Sequence, residues 1–82
     1  MVGGYILQIT ELRPGVSQIW VQGTGSEQHD ELAVDVKTAE IMPKPGDSCW
    51  WHGRECYCAG DTITLERIGY SYNPRRSDPY DH

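Results

Sequence analysis

Residues 43–58 read PKPGDSCWWHGRECYC, and they hold all three cysteines, two of the three tryptophans and one of the three histidines of an 82-residue chain. The stretch fits either a cysteine and histidine metal site or a packed β-hairpin. In a hairpin, successive side chains point to opposite faces and directly paired residues share a face. The choice between the two structures decides how the rest of the chain is interpreted.

A two-residue turn at Gly53-Arg54 organises the hairpin, because glycine readily adopts the positive φ that such turns need at their first central position. The turn pairs His52 with Glu55, and the period of two fixes the remaining pairs. One predicted face carries the three sulfurs and an indole: Cys49, Trp51, Cys56 and Cys58. The opposite face carries Trp50, His52, Glu55 and Tyr57. The histidine is therefore predicted to point away from the sulfurs.

The cysteine spacing disfavours zinc, which needs four converging ligands. Cys56 and Cys58 on one strand would place their sulfurs roughly 6.5 to 7 Å apart along the backbone. The other histidines lie in a polar loop, His29, and at the end of the chain, His82. We therefore predict small buried hydrophobic thiols with no metal and no cofactor. A metal site and a Cys49 to Cys58 disulfide, which would need an oxidising compartment, stay open as alternatives.

Further strands are predicted from β-forming residues that alternate with polar ones, at residues 5–12, 18–22, 31–37 and 62–68. Pro14-Gly15 suits a turn between the first two. In the first strand, Tyr5, Leu7 and Ile9 are predicted to share one face. In the others the inward residues are predicted to be Ile19, Val21, Leu32, Val34, Val36, Ile63 and Leu65.

The connecting segments are predicted from their polar, glycine and proline content. Residues 23–30 are interpreted as an exposed loop. Residues 38–42 could form one helical turn, capped by Thr38 and stopped by the prolines that follow. Residues 73–82 lose the aliphatic pattern and are predicted to be a disordered tail.

Six short strands with regularly spaced turns predict an all-β fold, a small antiparallel barrel or roll of about five to six strands of SH3-like or OB-like type. Residues 1–72 would form this single domain. The chain has no apolar run long enough for a membrane-spanning helix and its start does not resemble a signal peptide, so a cytoplasmic protein is expected. The net charge of −5 disfavours general nucleic-acid binding and favours a basic partner.

Three segments carry a resemblance to a group of proteins: Pro45-Gly46-Asp47, Trp50-Trp51-x-Gly53 and Glu66-Arg67-Ile68-Gly69-Tyr70. Over residues 43–72 the chain resembles small bacteriophage-encoded proteins of unknown function. The resemblance implies a phage or mobile-element origin, and it transfers no catalytic or binding residue.

The leading functional hypothesis is a non-enzymatic module that binds a protein through an exposed aromatic patch on the hairpin. Trp, Tyr and Arg are the residues that most often anchor interfaces. The candidate binding residues are Trp50, His52, Arg54, Glu55 and Tyr57, with Trp20 as a further aromatic residue. The opposing interpretation is that Trp50 and Tyr57 are covered by the rest of the barrel. A homodimer through an exposed strand edge would also fit.

Two other functions compete with this hypothesis. Single-stranded nucleic acid could stack on Trp20, Trp50 or Tyr57, with phosphates at Arg54, Arg67, Arg75 and Arg76. An acidic surface could instead imitate nucleic acid toward a basic host protein, through Glu27, Asp30, Glu31, Asp35, Glu40 and Asp47. Catalysis is not expected, because Cys56 and His52, the one plausible thiol and base pair, are predicted on opposite faces.

Overall fold

The computed structural model describes residues 2–24 and 31–71, with side chains described as far as Gly69. The described residues form an all-β fold, as the alternating pattern predicts. The strands are β1 (Val2–Arg13), β2 (Val16–Gly23), β3 (Glu31–Lys37), β4 (Ser48–His52), β5 (Glu55–Cys58) and β6 (Ile63–Ser71). The predicted tail at residues 73–82 lies outside the described residues.

The six strands pair antiparallel in a closed barrel with the order β1-β2-β3-β6-β5-β4. The ring closes where Val2 to Tyr5 of β1 pair with Trp51 to Ser48 of β4. Closure matters because an open edge strand would present unpaired backbone groups to other chains. This seam also brings the start of β1 alongside the cysteine and tryptophan hairpin.

The barrel interior is filled mainly by aliphatic side chains from β2, β3 and β6 and by the sulfurs of the hairpin. Ile19, Val21, Val34 and Val36 have no exposed surface, and Leu65 is 3% exposed. These are inward positions predicted from the alternation. Leu32 and Ile63, also predicted inward, are partly buried and pack against this core.

The predicted face of the first strand is wrong for Tyr5 and Leu7, because a β-bulge interrupts the alternation at Leu7, whereas Ile9, beyond the bulge, packs against the core as predicted. Ile6 pairs with Val21 and the next pair is Gln8 with Trp20, so Leu7 is an extra residue in β1. Ile6 is therefore buried, whereas Tyr5 and Leu7 are exposed. A bulge inserts one unpaired residue and reverses the facing of every residue on one side of it.

The predicted helical turn at residues 38–42 is also wrong, since this segment forms only a bend. The Thr38 hydroxyl, expected to cap a helix, lies 2.6 Å from the Ser17 hydroxyl instead. The backbone of the β3–β4 connection is bonded to the barrel at both ends, with Thr38 N–H donating to the Gly15 carbonyl at 2.9 Å and Gly46 N–H to the Ile6 carbonyl at 2.9 Å. Met42 packs against the core from this connection.

Across residues 2–24 and 31–71 there is no helix with the length and apolar character needed to cross a bilayer.

Candidate interaction surface

The β4–β5 hairpin has the register predicted from its two-residue turn. His52 pairs with Glu55, and the ladder continues to Cys49 opposite Cys58. Gly53 has a φ of 63°, the positive value expected at the first turn position. The period of two then places the two sets of side chains on opposite faces of β4 and β5.

The inner face of the hairpin holds the three thiols. Cys49, Cys56 and Cys58 have no exposed surface and are free cysteines. The Cys58 and Cys49 sulfurs lie 3.1 Å apart. His52 is exposed on the other face. The imidazole therefore does not converge with the sulfurs, and Cys56 and His52 cannot act as a thiol and base pair.

Burial controls how the inner thiols ionise. Desolvation, with the nearby Cys58, raises the pKa of Cys56 to about 12, although the Arg67 charge partly opposes the change. The hydrogen bond between Cys58 and Cys49 raises the pKa of Cys49, and burial adds to this increase. The same hydrogen bond lowers the pKa of Cys58. One proton thus leaves the Cys49 and Cys58 pair more easily than the second.

The indole of Trp51 shares this interior and is 3% exposed. Within the described part of the chain, its Nε1–H is buried and has no hydrogen-bond partner. An unpaired buried donor is unfavourable, so the indole contributes through its apolar surface. Trp51 therefore belongs to the core and does not contact an external partner.

The outer hairpin face consists of Trp50, His52, Glu55 and Tyr57, with Arg54 at the turn. Trp50 and Tyr57 are paired neighbours in a row of residues that crosses four strands, with Gly3 of β1 beside Trp50 and Thr64 of β6 beside Tyr57. The polar row of this face runs from His52 through Glu55 to Glu66. Sequence reasoning did not identify Gly3, Thr64 or Glu66, because they come from β1 and β6 and join the surface only when the barrel closes.

The residues of the outer hairpin face differ in how far they are exposed. Trp50 and Tyr57 are partly buried, whereas His52, Arg54 and Glu55 are exposed. The Tyr57 hydroxyl donates a hydrogen bond to the Glu55 carboxylate. That bond raises the pKa of the Tyr57 phenol, and burial and the charges of Glu55 and Asp61 act in the same direction. Part of each aromatic ring is therefore exposed to solvent and is surrounded by exposed polar side chains.

The turn beside this face is held in place from β6. Arg67 N–H donates to the Arg54 carbonyl at 2.7 Å, and the Arg67 side chain donates through Nε to the Gly53 carbonyl. Arg67, predicted from the sequence as a phosphate contact, therefore has a structural role at the turn. A shallow groove next to it is lined by Arg54, Glu55, Thr64, Leu65 and Glu66.

Trp20 lies apart from the outer hairpin face. It pairs with Gln8, while Trp50 pairs with Gly3, so the backbone positions of the two residues are offset by roughly 15 Å along β1. Trp20 Nε1 donates to the Gln18 side chain at 2.7 Å. Trp20 and Trp50 therefore do not form one binding surface. Arg75, Arg76, Glu27 and Asp30, named in the competing hypotheses, lie outside the described residues.

The fold and this surface define a small closed β-barrel with an aromatic and acidic outer face on one hairpin. Comparison with protein-family models, curated proteins and solved structures finds no match to the chain.

Proposed function

We propose that the protein is a non-enzymatic interaction module that binds a protein partner through the outer hairpin face. The observation that carries the proposal is the pairing of Trp50 with Tyr57 in one row, with both rings partly buried and exposed polar residues around them. Aromatic anchors supply large contact area and lose little conformational entropy on binding. A surrounding polar rim is the usual arrangement at such interfaces.

The partner surface is proposed to be basic. Glu55 and Glu66 stand directly opposite each other on β5 and β6, and like charges in that position repel. A lysine or arginine of the partner would relieve the repulsion and could also contact the Trp50 or Tyr57 ring. The net charge of −5 would steer such a partner toward the chain.

The setting of this module is proposed as the cytoplasm, with a phage or mobile-element accessory role. The three free cysteines are consistent with a reducing compartment. The resemblance over residues 43–72 supports the phage origin. We further propose that the barrel is of SH3-like or OB-like type, whose small barrels display ligand sites on their outer surfaces.

The surface is tested by affinity capture from a bacterial lysate. The wild-type chain is compared with the double variant Trp50→Ala and Tyr57→Ala, and Trp20→Ala serves as the matched control because it removes another partly buried indole away from this face. We expect a basic protein to be retained by the wild type and the control, lost from the double variant, and released as salt rises. Equal capture by all three would contradict the proposal.

The accessibility of Trp50 is checked separately by acrylamide quenching of tryptophan fluorescence. The quenchable fraction is expected to fall when Trp50 is replaced by Phe, as it should for Trp20→Phe. If Trp50→Phe leaves the quenchable fraction unchanged, the ring is shielded and the proposed surface does not exist. Saturable binding of a labelled single-stranded oligonucleotide that Trp50→Ala abolishes would favour the nucleic-acid alternative instead.

A further inference from the structure

Cys49 and Cys58 occupy a backbone position that suits a cross-strand disulfide. Ala59 N–H donates to the Ser48 carbonyl at 2.9 Å, just outside the Cys49 and Cys58 pair. This hydrogen bond identifies the two cysteines as a non-hydrogen-bonded pair, in which the Cα atoms approach to about 4.5 Å. That separation falls within the range of about 4.4 to 6.8 Å found across disulfides. The sulfurs already lie 3.1 Å apart.

The third cysteine does not share this geometry. Cys56 pairs with Trp51 and not with a cysteine. It precedes Cys58 by one strand repeat, roughly 6.5 to 7 Å along the backbone, which lies at the upper limit of the disulfide range, whereas the Cys49 and Cys58 pair lies well inside it. The hairpin therefore contains one well-placed pair of thiols and one thiol that is an internal control.

We propose that Cys49 and Cys58 are a reversible redox site that forms an intramolecular disulfide, while Cys56 stays reduced. The oxidant is a small-molecule disulfide such as oxidised glutathione. The Cys58 thiolate attacks one glutathione sulfur, forms a mixed disulfide and releases the first glutathione thiolate. The Cys49 thiolate then attacks the Cys58 sulfur and releases the second. Two electrons and two protons leave the pair, and two molecules of glutathione are formed.

One feature favours Cys58 as the attacking sulfur, and a second favours access of an oxidant to the pair. The hydrogen bond with Cys49 lowers the pKa of Cys58, which increases its thiolate fraction. The pair also lies at the end of the hairpin that is remote from the Gly53-Arg54 turn. Strand ends open locally more easily than strand centres, and such opening would admit an oxidant to thiols that are buried in the closed barrel.

The site is tested by equilibrating the protein in buffers of graded reduced and oxidised glutathione, alkylating the remaining thiols and measuring intact mass and peptide maps. We expect the wild type to lose two reactive thiols together and to carry one alkyl group, on Cys56. Cys56→Ser should form the same disulfide with the same dependence on the glutathione ratio. Cys49→Ser and Cys58→Ser should form no intramolecular disulfide.

Burial could slow the reaction in the folded chain, so the same buffers are applied during refolding from urea. Three alkylated thiols in excess oxidised glutathione, under both regimes, would overturn the proposal. A disulfide that includes Cys56 would also overturn it. Since serine in the core can destabilise the barrel, Cys49→Ala and Cys58→Ala are measured in parallel. The urea midpoint should rise on oxidation of the wild type and of Cys56→Ser, and should not change for the Cys49 and Cys58 variants.

Discussion

At the scale of single residues, Gly3 shows how closely the barrel seam is packed. A Cβ added there would lie 2.1 Å from the Cys49 carbonyl oxygen and 2.7 Å from the Trp50 Cα. Its φ of 154° is also one that other residues rarely adopt. The missing side chain therefore allows β1 to approach β4 beside the outer hairpin face.

Gly3→Ala is predicted to destabilise the protein by more than about 1 kcal/mol, because it combines an unfavourable φ with a backbone clash. Gly69→Ala is the matched control, since a Cβ there meets no atom within 4 Å. Its effect should stay within about 0.5 kcal/mol. Urea unfolding followed by circular dichroism measures both. Equal stability of the two variants would mean that the seam does not pack as described.

At the scale of elements, β1 and the β4–β5 hairpin differ in how far local sequence determines them. The hairpin register follows from a two-residue turn, so its pairs could be predicted from neighbouring residues. Which residues of β1 face the core depends on the bulge at Leu7. The bulge lies in the β1–β2 pairing, just past the point where the pairing of β1 with β4 ends. Ile6 N–H bonds to the Asp47 carbonyl at 2.8 Å, beyond the end of the β1–β4 ladder.

The bulge predicts opposite outcomes for two neighbouring apolar residues. Ile6 is 3% exposed and Leu7 is 45% exposed. Ile6→Ala should cost about 2 to 5 kcal/mol, as for other large-to-small core changes, and Leu7→Ala should cost less than about 1 kcal/mol. Thermal or urea unfolding of the pair gives the comparison. A larger loss of stability for Leu7→Ala than for Ile6→Ala would mean that Leu7 faces the core and that β1 has no bulge there.

At the scale of the whole molecule, the closed barrel raises the pKa of two of its buried thiols, Cys49 and Cys56. Cys56 has no exposed surface, and its pKa rises from 9.0 to about 12 on folding. Above pH 9 the unfolded chain loses this proton while the folded chain keeps it. The contribution is therefore fully present below pH 9 and is lost as the pH rises toward 12.

Global stability is predicted to fall with pH more steeply in the wild type than in Cys56→Ala. The difference should be about 1.4 kcal/mol per pH unit between pH 9 and 12, since one thiol titrates only in the unfolded chain. Urea midpoints under reducing conditions provide the measurement, and titrating groups that do not interact with Cys56 cancel in the comparison. Parallel curves for the two proteins would show that Cys56 is not protected as the barrel geometry requires.

Local sequence is enough to predict the all-β class, the hairpin register, the inward position of the three sulfurs and the outward position of His52. These features follow from the period of two and from turn chemistry, which act between near neighbours in the chain. The assembled barrel is needed to see the bulge at Leu7, the bend at residues 38–42, the close approach of β4 to Gly3 and the position of Glu66 opposite Glu55. Those features depend on backbone contacts between distant strands, which no local pattern encodes.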